Sequence, residues 1–242
     1  MTATVIAPAK LTVSLRIVGI RPDGFHLIEA EMVTVSLADE LTFCDAPQSS
    51  VRTTFDRVPT GLPISDGPDN LVMRALACVG RTARVEVRKR IPAGAGLGGG
   101  SADAAAVFRW AGRTSAADLL ESATLGADVA FCIRGGRAQV SGIGEVLTPV
   151  PPLTRAFTLL IPPFGVSTPH VYRAWDELGG PSGPNGNDLE PAAIAVEPRL
   201  AKWRNLLAAT TGQTPCLAGS GASWFVEGSF PAPAHLVVTT TD

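Results

Sequence analysis

Five glycines fall within seven residues, at Gly94, Gly96, Gly98, Gly99 and Gly100, in the segment Pro92-Ala-Gly-Ala-Gly-Leu-Gly-Gly-Gly-Ser-Ala102. A backbone so free of side chains can turn sharply and point its N–H groups at a ligand. It feeds into a helical pattern beginning at Ser101, and a helix start leaves amides unpaired and favours anions. Phosphate binding is the chemistry this implies, because a plain strand-to-helix connection needs only one or two glycines. No lysine follows the glycines, so a Walker A loop is excluded. The dinucleotide fingerprint G-x-G-x-x-G is present as Gly94, Gly96 and Gly99, with Asp118 downstream as its acidic partner. Its context argues against it: a central Rossmann strand is apolar throughout, whereas the preceding Ala83-Arg-Val-Glu-Val-Arg-Lys-Arg90 is charged on one face.

The other reactive side chains show no such spacing. Cys44, Cys78, Cys132 and Cys216 form no C-x-x-C pair, and His26, His170 and His235 are scattered. Neither a zinc site nor a disulfide framework is expected, and the thiols read as reduced. A net charge of −2 speaks against a nucleic-acid partner. No apolar run reaches the ~18 residues of a membrane span, and the first ten residues lack the pattern of a secretory signal. A soluble, cytoplasmic protein is expected, as a monomer or homodimer.

The elements that must position the loop can be read coarsely. In a chain of 242 residues, 45% hydrophobic with 25 Gly and 20 Pro, one large or two small domains fit. Leu11, Val13, Leu15 and Ile17 alternate with polar residues, predicting a strand over 10–18. Further strands are expected over 28–37 and 40–44, separated at Ala38-Asp39, and near Val51–Phe55 before a loop to residue 69. Asp69 or Asn70 can cap a helix that Gly80 stops. The strand over 83–90 has one wet face; Arg88, Lys89 and Arg90 either raise the local potential for an anionic nucleotide or, as is expected for at least two of them, form the solvated face of an edge strand. Helices follow over 101–110 and 115–123. Pro149-Val-Pro-Pro152 divides the chain into units of 1–150 and 151–242. Beyond it come a strand (157–161), a helix (168–178), a flexible Gly/Pro/Asn stretch (179–187), two helical segments and strands flanking Gly219-Ser-Gly-Ala222.

The motifs, taken in order, resemble those of the GHMP small-molecule kinases. Ala7-Pro-Ala-Lys-Leu11 is similar to the family's first motif, with Asp23-Gly-Phe-His26 at the family's distance. Asn70–Ala75 resembles the stretch before its phosphate loop, and Ile91–Ala106 its second motif. Leu125-Gly-Ala-Asp-Val129, Arg134-Gly-Gly136 and Gly142-Ile-Gly-Glu145 resemble the acidic motif and its sequel. Val166–Tyr172 and Asn187–Pro191 look like two substrate-domain signatures, and Leu217–Ala222 like the third motif.

The resemblance implies an α+β, two-domain fold, with a ribosomal-protein-S5-like nucleotide domain followed by a ferredoxin-like one. It implies transfer of a phosphoryl group from ATP, with Mg²⁺, to a hydroxyl of a small molecule carrying a cytidine diphosphate group. Asn70, Pro92, Ala93, Gly94, Ala95, Gly96, Leu97, Gly98, Gly99, Gly100, Ser101 and Ala102 are the implied ATP contacts, with Ser101 also near the metal. Asp128 is the implied base and Lys10 its partner. Thr12, Asp23, Phe25, His26, Thr168, Tyr172, Gly219 and Ser220 are the implied acceptor contacts, with Phe25 and Tyr172 flanking the cytosine and His26 reading its edge.

From the residues alone, Lys10 also reads as a solvated strand residue, Asp128 as a helix N-cap, and the two aromatics as core. The chain departs from the family at Thr12 (usually Asn), Phe25 (usually Tyr), Tyr172 (usually Phe) and Ala130 (usually Pro). It is also short, around 45–69 and after Phe225. Other GHMP kinases and a nucleotide-binding paralogue without turnover are the competing readings.

Overall fold

The computed structural model describes residues 2–56 and 61–241. Its backbone is a long antiparallel hairpin of β1 (Thr2–Ile20) and β2 (His26–Asp45). The expected break at Ala38-Asp39 is absent, and β2 runs straight through it. Pairing slips there instead, from Pro8 opposite Ala38 to Lys10 opposite Thr34, so the strand is irregular without ending. Asp39 is tolerated because it is fully buried and satisfied: its carboxylate accepts from the Arg90 and Ile91 amides and from Lys89 Nζ.

The other edge of β2 is shared by β4 (Ala83–Lys89) and β5 (Arg137–Ser141). β3 (Ser50–Phe55) adds parallel to β4, and β6 (Val146–Pro149) pairs with β5. β4 is therefore an interior strand, not an edge. Its side chains alternate buried and exposed as expected, yet Lys89 falls on the inner face. There it lies between Asp39 and Asp103, 2.7 Å from the latter. Arg88 and Arg90 remain on the surface, both paired with Asp56. Part of the loop expected before residue 69 lies outside the described residues.

Helices α1 (Leu71–Cys78), α2 (Gly99–Trp110), α3 (Ala116–Ser122) and α4 (Val129–Arg134) accompany this sheet. Asn70 caps α1 by accepting from the Val72 amide. α2 starts two residues earlier than the pattern suggested, so Gly99 and Gly100 form its first turn. Its buried alanines at 102 and 104–106 let it lie close against β1, α1 and α4. Only the reading of Asp128 as a helix N-cap anticipates α4. Its six residues are almost wholly buried and carry no helical alternation.

A second sheet follows. β10 (Leu236–Thr239), β7 (Ala156–Leu160), β9 (Trp224–Glu227) and β8 (Cys216–Leu217) stand in that order, all antiparallel. α5 (Thr168–Glu177), α6 (Glu190–Val196) and α7 (Arg199–Thr211) bury Val171, Leu200, Leu207 and the whole of Trp224 around it. Each of the two cores draws on residues from the other half of the chain. Phe157, Leu159, Phe225 and Val238 belong to the first core, and Leu15 of β1 belongs to the second. The fold is α+β.

Candidate active site

The glycine-rich loop uses its two kinds of backbone group for different purposes. Several of its carbonyls are taken: Gly94 accepts from the Val166 and Ala222 amides, Ala95 from Ser223, Leu97 from Lys10 and Gly98 from Ala102. The N–H groups of Gly96 through Ser101 donate to no described residue. A row of amides that lines a cleft at a helix start, claimed by no described protein group, marks a place for an anion. Gly96 is obligatory for another reason. A methyl group there would lie 2.0 Å from the Ala218 carbonyl oxygen, so this loop and the Gly219–Gly221 turn meet backbone to backbone. Gly98, at φ +70°, caps α2 and lies against the stem of Lys10.

Lys10 is 5% exposed, which removes the reading of a solvated strand residue. Its Nζ donates to Thr12 Oγ1 at 2.9 Å and pairs with Asp128 Oδ2 at 3.1 Å. Asp128 stands at the N-cap position of α4, but its side chain makes no capping bond there. The carboxylate turns to the lysine instead. Its charge is also felt by Cys132 and Tyr172: burial, with Asp128 adding, pushes the thiol up to about 12 and raises the phenol too. Thr12, where the family usually has Asn, spends its hydroxyl on the ammonium. All four cysteines are free thiols.

These groups share one cleft of about 1080 Å³. It contains Lys10, Thr12, Asp128, the loop from Pro92 to Ser101, Thr168, Tyr172, and Gly219 and Ser220. Thr168 Oγ1 and Ser220 Oγ lie 2.7 Å apart, joining the start of α5 to the Gly219–Gly221 turn. At the far end His26 packs its ring 4.8 Å from that of Tyr172, and Phe25, 56% exposed, projects from the tip of the β1–β2 hairpin.

Three of the expected residues lie elsewhere. Asn70 spends its amide oxygen on the Val72 amide and donates Nδ2 to the Ser65 carbonyl, away from the cleft wall. Asp23 pairs with Arg21 in the hairpin turn. Ala102 is fully buried in α2. Asp118, the acid of the dinucleotide fingerprint, closes the capping box of α3. Bonds from Ser115, then Arg113, hold it at about 2.

The structure also adds residues to the site. Asp176 lies 2.7 Å from His26 Nε2. It stands one helical turn beyond Tyr172, a spacing that could have flagged it. Asn187 is 1% exposed, donates to the carbonyls of Leu217 and Gly219, and so ties the Gly219–Gly221 turn to the chain beside β1. That role has no signal in the local sequence.

Magnesium, expected with ATP, can be tested against these groups. The Ser101 hydroxyl lines the cleft without a hydrogen-bond partner among the described residues, and Asp128 is near. Among the described residues no three His, Cys, Asp or Glu side chains gather into a metal site. One hydroxyl and one carboxylate on the cleft wall fit an ion that keeps most of its waters and is carried largely by substrate phosphates.

Comparison with known proteins agrees with this geometry. Residues 70–136 match the family described as GHMP kinases N terminal domain. The 4-diphosphocytidyl-2-C-methyl-D-erythritol kinase of Paracoccus denitrificans is 36% identical over 238 residues, covering 90% of this chain and 84% of its own. That of Moorella thermoacetica is 34% identical, covering 92% and 88%. A crystal structure of 4-(cytidine 5'-diphospho)-2C-methyl-D-erythritol kinase superposes with a TM-score of 0.75 at 28% identity, over 99% of this chain and all of that one. Homoserine kinase from Cytophaga hutchinsonii shares the fold, with a TM-score of 0.61 at 19% identity, covering 99% and 94%. With motifs, fold and relatives in agreement, the chain belongs to the GHMP kinases.

Proposed function

We propose that this chain transfers the γ-phosphoryl group of ATP to a hydroxyl of 4-diphosphocytidyl-2-C-methyl-D-erythritol, a step of isoprenoid-precursor synthesis. Phosphoryl transfer asks a protein mainly for positioning and charge stabilisation. The amides of Gly96–Ser101 and the start of α2 supply fixed donors for the triphosphate oxygens. Ser101 Oγ reaches a phosphate or its Mg²⁺, an ion that neutralises charge on the phosphate oxygens when bound.

Asp128 has one oxygen held by Lys10 and the other available to take the proton of the acceptor hydroxyl. As that proton leaves, the hydroxyl oxygen bonds to the γ-phosphorus and the bond to the β-phosphate oxygen breaks, releasing ADP. Lys10 stands where negative charge develops, and its ammonium balances the Asp128 carboxylate. Phe25 and Tyr172 offer ring faces to the cytosine, with His26 beside them.

The observation that carries this reading is the row of unclaimed amides sharing one cleft with the Lys10–Asp128 pair. A coupled assay of ADP release with ATP, Mg²⁺ and the diphosphocytidyl acceptor tests it. The native protein turns over, while Asp128→Asn and Lys10→Ala lose on the order of 10²-fold or more in kcat. Native protein that binds ATP without turnover on this acceptor overturns it.

A further inference from the structure

The aromatic end of the cleft contains a histidine whose proton is fixed from one side. His26 Nε2 lies 2.7 Å from Asp176 Oδ1. A carboxylate only accepts, so the hydrogen of this bond sits on Nε2. Nδ1, the other ring nitrogen, has no partner among the described residues. The ring has little freedom to turn. Tyr172 lies against it at 4.8 Å and Trp175 meets it edge-on at 5.4 Å. Trp175 is itself anchored, donating its indole N–H to the Pro181 carbonyl at 2.9 Å. A neutral imidazole protonated at Nε2 presents a bare lone pair at Nδ1.

We propose that Asp176 is a positioning residue that sets base specificity: by holding His26 in the Nε2–H form it offers an acceptor to the exocyclic amine of cytosine and a repelling lone pair to the exocyclic carbonyl of uracil. This rests on the reading above that the acceptor carries a cytidine diphosphate group. Cytosine and uracil share their shape, so stacking on Tyr172 or Phe25 barely separates them. Only a group with a defined hydrogen-bonding sense does so, and a lone pair facing a lone pair is the penalty that gives selectivity. Asparagine at 176 would present either an oxygen or an NH₂ to Nε2. His26 would then be free to move its proton to Nδ1 and accept uracil. Asp176 is 45% exposed at its side chain, so its replacement does not disturb a core.

The test uses the full chain with CDP and UDP as probes, measured as inhibitors competitive with the acceptor. The native protein should bind CDP on the order of 10- to 100-fold more tightly than UDP. Asp176→Asn should cut that preference about tenfold, mostly by gaining UDP affinity, and Asp176→Glu should restore it. The KM for ATP should stay the same in all three. Imidazole ¹⁵N spectra, assigned with His26→Gln, should show Nε2 protonated in the native protein and a mixed tautomer in Asp176→Asn. A CDP/UDP ratio unchanged in Asp176→Asn overturns this inference alone, as does equal native affinity for the two. Native protein that binds neither nucleotide overturns the acceptor reading along with it.

Discussion

Replacing Gly96 by alanine tests whether the two glycine-rich segments must touch for the site to work. The new Cβ would lie 2.0 Å from the Ala218 carbonyl oxygen and 2.8 Å from that of Gly221. Ordinary contacts begin near 3.4 Å, so the Gly219–Gly221 turn must retreat by the difference, about 1.4 Å. At φ +77° the backbone conformation adds strain of about 1–2 kcal/mol, and overpacking about 1–3 kcal/mol. The larger effect is on positioning. Gly219 lies beside Lys10 Nζ and Ser220 holds Thr168, so the displacement moves groups on both sides of the reacting centre. A shift of about 1 Å at such a place costs on the order of 10²-fold in rate.

The assay is coupled ADP release at saturating ATP, with the folded fraction followed by circular dichroism. kcat/KM for the acceptor should fall by that factor per folded molecule. Gly112→Ala is the control. Its φ is +72°, yet nothing lies within 4 Å of the added methyl, so it carries the strain without the collision. It should keep full activity while losing roughly 2–8 °C in Tm. Gly96→Ala with activity within about threefold of native would refute the reasoning, because the required displacement would then have no consequence at the site.

Thr12→Val keeps the volume but removes the oxygen that accepts from Lys10 Nζ at 2.9 Å. kcat should fall about tenfold with KM for ATP unchanged, and Thr12→Ser should recover most of it; equal rates for Val and Thr would show that the hydroxyl does not hold the ammonium. Asp103 is buried with Oδ1 lacking a partner among the described residues, and burial, against the opposing pull of Lys89, raises it to about 7. Between 3.8 and about 7 the native state binds more proton than the unfolded chain, so stability falls as pH rises through that window. Asp103→Asn should remove this slope of up to about 1.4 kcal/mol per pH unit, read as Tm between pH ~4.5 and ~7.5; a slope unchanged by the substitution would refute it.

Local physics made much of this protein legible. The helix that Asn70 caps, the alternation of β4, and the loop that feeds α2 all depend on neighbours within a few residues, and composition exposes them. The ordered motifs identified the family because each preserves such a local device. What could not be read was the fate of charges. Asp39 looked like a strand break and Lys89 like a solvated face, yet both are buried, because they meet each other and Asp103 across three elements. Asp128 has the local position of a cap, and only the approach of β1 turns its carboxylate toward Lys10 instead. His26 gains its partner, and Asn187 its two carbonyls, from segments far along the chain. Propensity acts over a turn or two of backbone. Whether a polar group is satisfied or stranded depends on which distant atoms fill the space around it, and that is decided by the packing of the whole chain.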